Sequence, residues 1–181
     1  MRRVLEQHGP NHHVDARADR DRPLVLEVGA GHGEAALAYA AHRPDNDVLA
    51  VDVHTPGVVA LLCAAHETDA SNVFAMRADA LDLLADRFTA SSLAALHLFF
   101  PDPWPKARHH KRRFVRPDVL DLLADRMAPG AAFRMATDAV DYAGSAQEHL
   151  DGHPGFAGGI VERPAWRPTT RYEAAARAAG R

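Results

Sequence analysis

Between residues 24 and 150, short apolar runs alternate with stretches of helical period, and that alternation constrains the chain more than any other feature. LVLEV (24–28), DVLAVDV (47–53), NVFAMRA (72–78), LAALHLFF (93–100) and AAFRMAT (131–137) read as strands buried between layers. GEAALAYAAH (33–42), a segment from Pro56 to about His66, ALDLLADRF (80–88), FVRPDVLDLLADRM (114–127) and DAVDYAGSAQEHL (138–150) read as helices. Pro56 and Pro117 sit in first turns, and Pro129-Gly130 ends the fourth helix. Such repetition gives βαβ units with right-handed crossovers. The expected fold is therefore α/β, a doubly wound and mostly parallel sheet, in a single domain over 23–181. LAALHLFF, nearly all apolar, belongs at the centre of the sheet. Residues 1–22, with Gly9-Pro10 and DARADRDR, have no sustained period and read as a poorly ordered arm. The Pro- and Gly-rich last 30 residues leave room for short strands around 156–163.

In such sheets ligands bind beyond the C-terminal strand ends. Glu27, Asp52, Asp79, Asp102 and Asp138 all fall there. Gly29-Ala30-Gly31-His32-Gly33 follows the first strand and opens a helix, where glycines allow a sharp turn and close ligand approach. The spacing is GxGxG, not the GxGxxG of dinucleotide enzymes. Glu27 just before it would repel a pyrophosphate and attract a sulfonium or ammonium. Asp52, 23 residues after Gly29, stands where a carboxylate bonds a ribose diol. The combination resembles the first motif of the class I S-adenosylmethionine methyltransferases. Asp79 reads two ways, as a contact to an adenine edge or as a helix N-cap.

LFFPDPWPKARHHKRR (98–113) is the most distinctive segment. Asp102 lies between two prolines at the mouth of the fourth strand, and Trp104 offers a flat face for a base. Lys106, Arg108, Lys111, Arg112, Arg113 and Arg116 then place six formal cations in 11 positions, with His109 and His110 and no acid. The whole chain has a net charge of −3, so without those six the remainder stands at −9. An acidic body with one basic edge beside a strand end suits a phosphate backbone.

Other classes drop out. A single cysteine excludes a disulfide framework and a cysteine-rich zinc site, and Cys63, among apolar residues on a helix, is expected in the core. The 12 histidines have no metal-ligand spacing. No apolar run reaches a membrane span, and no apolar stretch follows the basic start, so the expectation is a cytoplasmic protein. Trp166 is left with two readings, a base-stacking face or a plug at the sheet end.

FPDPWPKARHHKRR resembles the signature of the bacterial tRNA (guanine-N7-)-methyltransferase family. LEVGAGHGE, VDVHTPGV, MATDAVDYA and RPTTRYE resemble its other blocks, in the same order. The resemblance covers roughly residues 24–174. It implies a Rossmann-like class I methyltransferase fold, with S-adenosylmethionine as cofactor and tRNA as partner. By position it implies cofactor contacts from Glu27, Gly29, Gly31, Gly33, Asp52, Asp79 and Asp102, with Asp102 also catalytic. Lys106 and Asp138 would bind the target nucleotide, and Arg108, His109, His110, Lys111, Arg112 and Arg113 would hold tRNA. Thr170, Arg171, Tyr172 and Glu173 would form a late substrate-binding block. Asp52 stands where the family has Glu, and the Ala-rich AAARAAGR replaces its usual continuation. The alternatives are a methyltransferase of the same fold acting on another RNA or a small molecule, and a nonenzymatic tRNA-binding protein. A nicotinamide dehydrogenase is disfavoured by the glycine spacing.

Overall fold

The computed structural model describes residues 22–178. Five parallel strands, β1 (Leu24–Val28), β2 (Asp47–Asp52), β3 (Val73–Arg77), β4 (Leu93–Phe99) and β5 (Met127–Ala136), form one sheet in the order β3-β2-β1-β4-β5. Helices α1 (Glu34–His42), α2 (Thr55–Glu67), α3 (Ala80–Arg87), α4 (Pro117–Arg126) and α5 (Val140–Asp151) alternate with them, and α6 (Arg171–Ala178) follows. β1 is the middle strand, and β4 lies inside the sheet between β1 and β5.

Period-two side-chain alternation divides the core into two layers. Leu26, Leu49, Val51, Leu96 and Leu98 face α3, α4 and α5, packing with Leu84, Leu120, Leu123 and Tyr142. Val25, Val48, Ala50 and Ala95 face α1 and α2, packing with Ala36, Tyr39 and Leu61. Both faces are covered, which is why the strands read as continuous apolar runs.

The structure differs from expectation in three places. β5 begins at Met127, not 131, because two steps along β4 (Leu93 to Ala95) match five along β5 (Met127 to Ala132). Gly130, at φ 78, takes up the excess in that bulge, and Pro129 is tolerated because β5 is an edge strand of this sheet. No strand forms over 156–163, where Ile160 and Val161 are exposed. Cys63 is exposed, on the outer side of α2, instead of being core. The arm expected over 1–22 lies outside the described residues except for Arg22, which pairs with Asp47 at 3.5 Å.

Candidate active site

The strand order reverses between β1 and β4, which opens a crevice beyond their C-terminal ends. The glycine loop leaves β1 there, and the PDPW loop leaves β4.

Gly29, Gly31 and Gly33 have φ of 71, 55 and 79 degrees. A β-carbon on Gly33 would fall 2.0 Å from Leu61 Cδ1. Gly57, in the first turn of α2, meets a similar limit, since its β-carbon would lie 2.7 Å from the Gly31 carbonyl oxygen. Sequence reasoning missed Gly57, because only the fold turns α2 against the loop. The Asp52 carboxylate locks the loop: Oδ2 accepts from the Gly31 N–H and Oδ1 from the His54 N–H, both at 2.8 Å. Each oxygen retains further acceptor capacity. Asp79 caps α3, accepting from Leu81 N at 2.8 Å and Asp82 N at 3.4 Å, and sits exposed at the same sheet end.

Glu27 is buried beneath the loop. It pairs in register with His97 of β4, and Oε2 lies 3.9 Å from His97 Nδ1, an ion-pair distance too long for a hydrogen bond. Oε2 has no hydrogen-bond partner among the described residues, yet Glu27 lines the narrow cleft with Gly29, Phe99, Phe100 and Tyr172. Burial pushes its carboxyl above the usual carboxylate range, and His97 and the Ala36 backbone pull it partly back. The His97 ring is stacked on Trp166 with centroids 5.2 Å apart and meets the Tyr39 edge at 4.7 Å. Trp166 therefore plugs the sheet here. His97 was visible in sequence only as one polar residue in an apolar strand.

The PDPW loop is held in an unusual backbone. Phe100 and Trp104, on either side of Asp102, have φ of 53 and 43 degrees. Left-handed conformations cost bulky residues about 1–2 kcal/mol each, so surrounding contacts must fix them. Phe100 N donates to the Ala136 carbonyl at 2.8 Å. The Arg112 guanidinium lies 4.8 Å from the Trp104 ring centre, and His109 approaches its edge at 5.8 Å. Asp102 is exposed. Asp138 is half-buried in the turn between β5 and α5.

The basic run divides. Residues 107–112 form a 3₁₀ turn, and Lys106, Arg108, Lys111 and Arg112 are exposed. His109 and His110 are half-buried. Arg113, expected among the tRNA contacts, is instead 3% exposed. Its guanidinium donates to the Pro103 carbonyl at 2.9 Å, to Ser145 Oγ at 2.9 Å and to the Asp141 carboxylate. It also packs over the Tyr142 ring at 4.9 Å. Arg113 leaves the set of free cations because its donors are used inside the protein. Its place in the run, beside four exposed cations and the half-buried Arg116, carried no signal of this.

The late block also divides. Thr170 Oγ1 caps α6 by accepting from the Glu173 N–H at 3.3 Å, in the Thr-x-x-Glu order of a capping box. The Glu173 carboxylate turns inward, to Arg163 at 2.7 Å and Arg167 at 3.3 Å. Arg171 N donates to Glu34 Oε2 at 2.8 Å, and its Nε lies 3.3 Å from Oε1, which ties α6 to the start of α1. Thr170, Arg171 and Tyr172 thus line the glycine cleft with Glu27, whereas Glu173 is buried in its ion cluster. Glu34 was missed because its partner lies 137 residues away. Among the described residues, no group of three His, Cys, Asp or Glu could hold a metal, and no helix is long and apolar enough to cross a membrane.

Residues 21–181 match a family model described as "Putative methyltransferase". The tRNA (guanine-N(7)-)-methyltransferase of Burkholderia ambifaria is 41% identical over 185 residues, covering 96% of this chain and 72% of the relative. The chain belongs to the tRNA (guanine-N7)-methyltransferase family. Family members from Nocardioides sp. and Streptomyces coelicolor are 48% and 46% identical, over 90% and 84% of this chain. The chain spans 66% and 58% of those two relatives. Solved structures show the fold. A precorrin-6y C5,15-methyltransferase from Geobacter metallireducens superposes with TM-score 0.58 at 14% identity, covering 73% of this chain and 62% of its own. An rRNA methylase from Streptococcus thermophilus gives 0.52 at 16%, covering 74% and 71%. The β3-β2-β1-β4-β5 order of this chain's parallel sheet matches class I methyltransferase structures.

Proposed function

We propose that this chain transfers a methyl group from S-adenosylmethionine to N7 of a guanine in the variable loop of tRNA. One observation carries the reading: the Asp52-locked glycine loop and the cation-bearing PDPW loop converge at one sheet end, in a family named for that reaction.

S-adenosylmethionine supplies an electrophilic methyl on a positively charged sulfur. The residues present fit such a group. Glu27 lines the cleft and carries a buried oxygen without a hydrogen-bond partner among the described residues, a carboxylate that attracts a cation. Asp52 retains lone pairs for a ribose diol, and Asp79 stands at the adjacent strand end for the adenine edge.

Guanine N7 already carries a lone pair at neutral pH. Bound in the cleft, the cofactor would supply the methyl to this lone pair and keep the electron pair of its S–C bond, and no proton would need to leave N7. The chain therefore needs no strong base, and its work is positioning and electrostatics. Asp102 and Asp138 accept from the amino and imino edge of the guanine, which leaves its stack to reach them. Lys106 holds the target nucleotide. Arg108, His109, His110, Lys111 and Arg112 face the phosphates. Thr170, Arg171 and Tyr172 cover the cleft.

The test is incubation of the chain with labelled S-adenosylmethionine and tRNA lacking 7-methylguanosine, followed by nucleoside analysis. Label in 7-methylguanosine is the expected result. Tight tRNA binding without turnover would mean a nonenzymatic binder, and label only in another RNA or a small molecule would mean the fold serves a different substrate.

A further inference from the structure

Arg113 belongs to the basic run, but its surroundings differ from those of its neighbours. Its guanidinium spans two separate parts of the crevice wall. On one side its Nε–H donates to the Pro103 carbonyl at 2.9 Å, the peptide oxygen immediately before Trp104. On the other, Nη1 donates to Ser145 Oγ at 2.9 Å and Nη2 to Asp141, both on α5. Tyr142 lies under the guanidinium plane and is itself fully buried, its hydroxyl accepting from the Val115 N–H at 3.1 Å. The Pro103 carbonyl is where support is needed, because Trp104 follows with φ 43 and Asp102 precedes. β4 and β5 end in register, Phe99 opposite Ala136, so α5 begins beside the strand end from which the Asp102 loop departs.

We propose that Arg113 is a positioning residue for Asp102, tying the strained PDPW loop to α5, and not a phosphate contact. The assignment rests on the tRNA-methyltransferase reading of the site. Two features of the guanidinium make Arg necessary. Its planar fork serves Pro103, Ser145 and Asp141 at once, and its face packs on Tyr142. A lysine would keep the charge without this geometry. Binding a phosphate requires only the charge, so the two roles separate under substitution.

The experiment compares R113K, R113M and, as an exposed reference cation, K111A. tRNA affinity is measured as a function of salt, and kcat is measured by single-turnover methylation. Removing one cation that neutralises a phosphate lowers the slope of log affinity against log salt by about one. The expected result is that K111A reduces the slope. Both Arg113 variants should keep it while kcat falls by about tenfold to a hundredfold, as for a reactive group displaced by about 1 Å. Rescue by lysine, or a slope reduced in R113M with kcat intact, would overturn the proposal. Should R113M fail to melt cooperatively, D141N with S145A decides on the same two readouts, and unchanged kcat there also overturns it. The indole N–H resonance of Trp104 gives an arm independent of activity. It should move in R113K and stay in K111A, and an unmoved signal in R113K counts against the proposal. Wild-type protein with no activity on tRNA would instead remove the functional reading, and the Trp104 signal would still decide the role of Arg113 in the loop.

Discussion

Glu27 and His97 face each other across β1 and β4, in register and 3.9 Å apart, and both are buried beneath the glycine loop. A carboxylate there is costly to the free protein and useful to a cationic ligand. Burial raises its pKa, so the folded protein holds this proton more tightly than the unfolded chain does. The stability this gives is present below the ordinary value of 4.5 and is lost as pH rises through the raised one. Glu27→Gln should therefore stabilise the free protein, by about 1–3 kcal/mol near neutrality. The gain should grow as pH increases from 4.5. Thermal melts of both proteins across that range check it.

The same residue should make cofactor affinity depend on pH. A sulfonium favours the ionised carboxylate, so S-adenosylmethionine should bind more tightly as pH rises through the raised pKa of Glu27, releasing a proton. Glu27→Gln should bind weakly and lose the pH dependence. Calorimetry in buffers of different ionisation enthalpy reads both effects, and an affinity flat with pH in the wild type would refute the coupling.

Asp52 accepts one backbone N–H on each oxygen. Asparagine has only one acceptor oxygen, so Asp52→Asn leaves one of these N–H groups facing a donor. Binding of S-adenosylhomocysteine should weaken nearly as much in Asp52→Asn as in Asp52→Ala, by about 1.5–3 kcal/mol. Near-native affinity for the asparagine variant would show that the loop does not depend on both bonds.

Asp102 is exposed and outside the core, so Asp102→Ala should fold normally. Its kcat should fall by about a hundredfold or more, with tRNA affinity changed little. Near-native methylation would remove Asp102 from the chemistry.

Lys111 and Arg112 are exposed cations of the 3₁₀ turn. Reversing both to Glu should weaken tRNA binding by about tenfold or more at moderate salt and spare S-adenosylhomocysteine binding. Titrating both ligands on one preparation separates this outcome from misfolding, which would weaken both equally. Arg113 is left out of this variant because it is buried.

The sheet was legible because period-two burial on both faces leaves apolar runs such as LVLEV and DVLAVD, and because glycine and proline mark their ends. The Asp52 end of β2 and the glycine loop were legible for the same reason, as strand ends in a parallel sheet point to one crevice. What sequence could not show was which polar residues turn inward. Arg112 and Arg113 are adjacent and chemically identical, yet one lies against the Trp104 ring and the other is enclosed by Pro103, Ser145 and Asp141. That difference depends on α5 packing beside the loop, an approach of segments about 30 residues apart in sequence. Strands expected over 156–163 did not form, because β-type residues alone cannot make a strand where no neighbouring strand pairs with them. Asp79 shows the limit from the other side: its capping bonds are local and readable, and they leave its second reading open.

The bond from Arg171 to Glu34 joins positions 137 residues apart. Closing so long a segment is entropically late, since local strand–helix units can form before it. During synthesis the glycine turn and β1 to β4 can fold while residue 171 has yet to be translated. The wall of the cleft formed by Thr170, Arg171 and Tyr172 is thus assembled last, and a nascent chain presents the crevice open on that side.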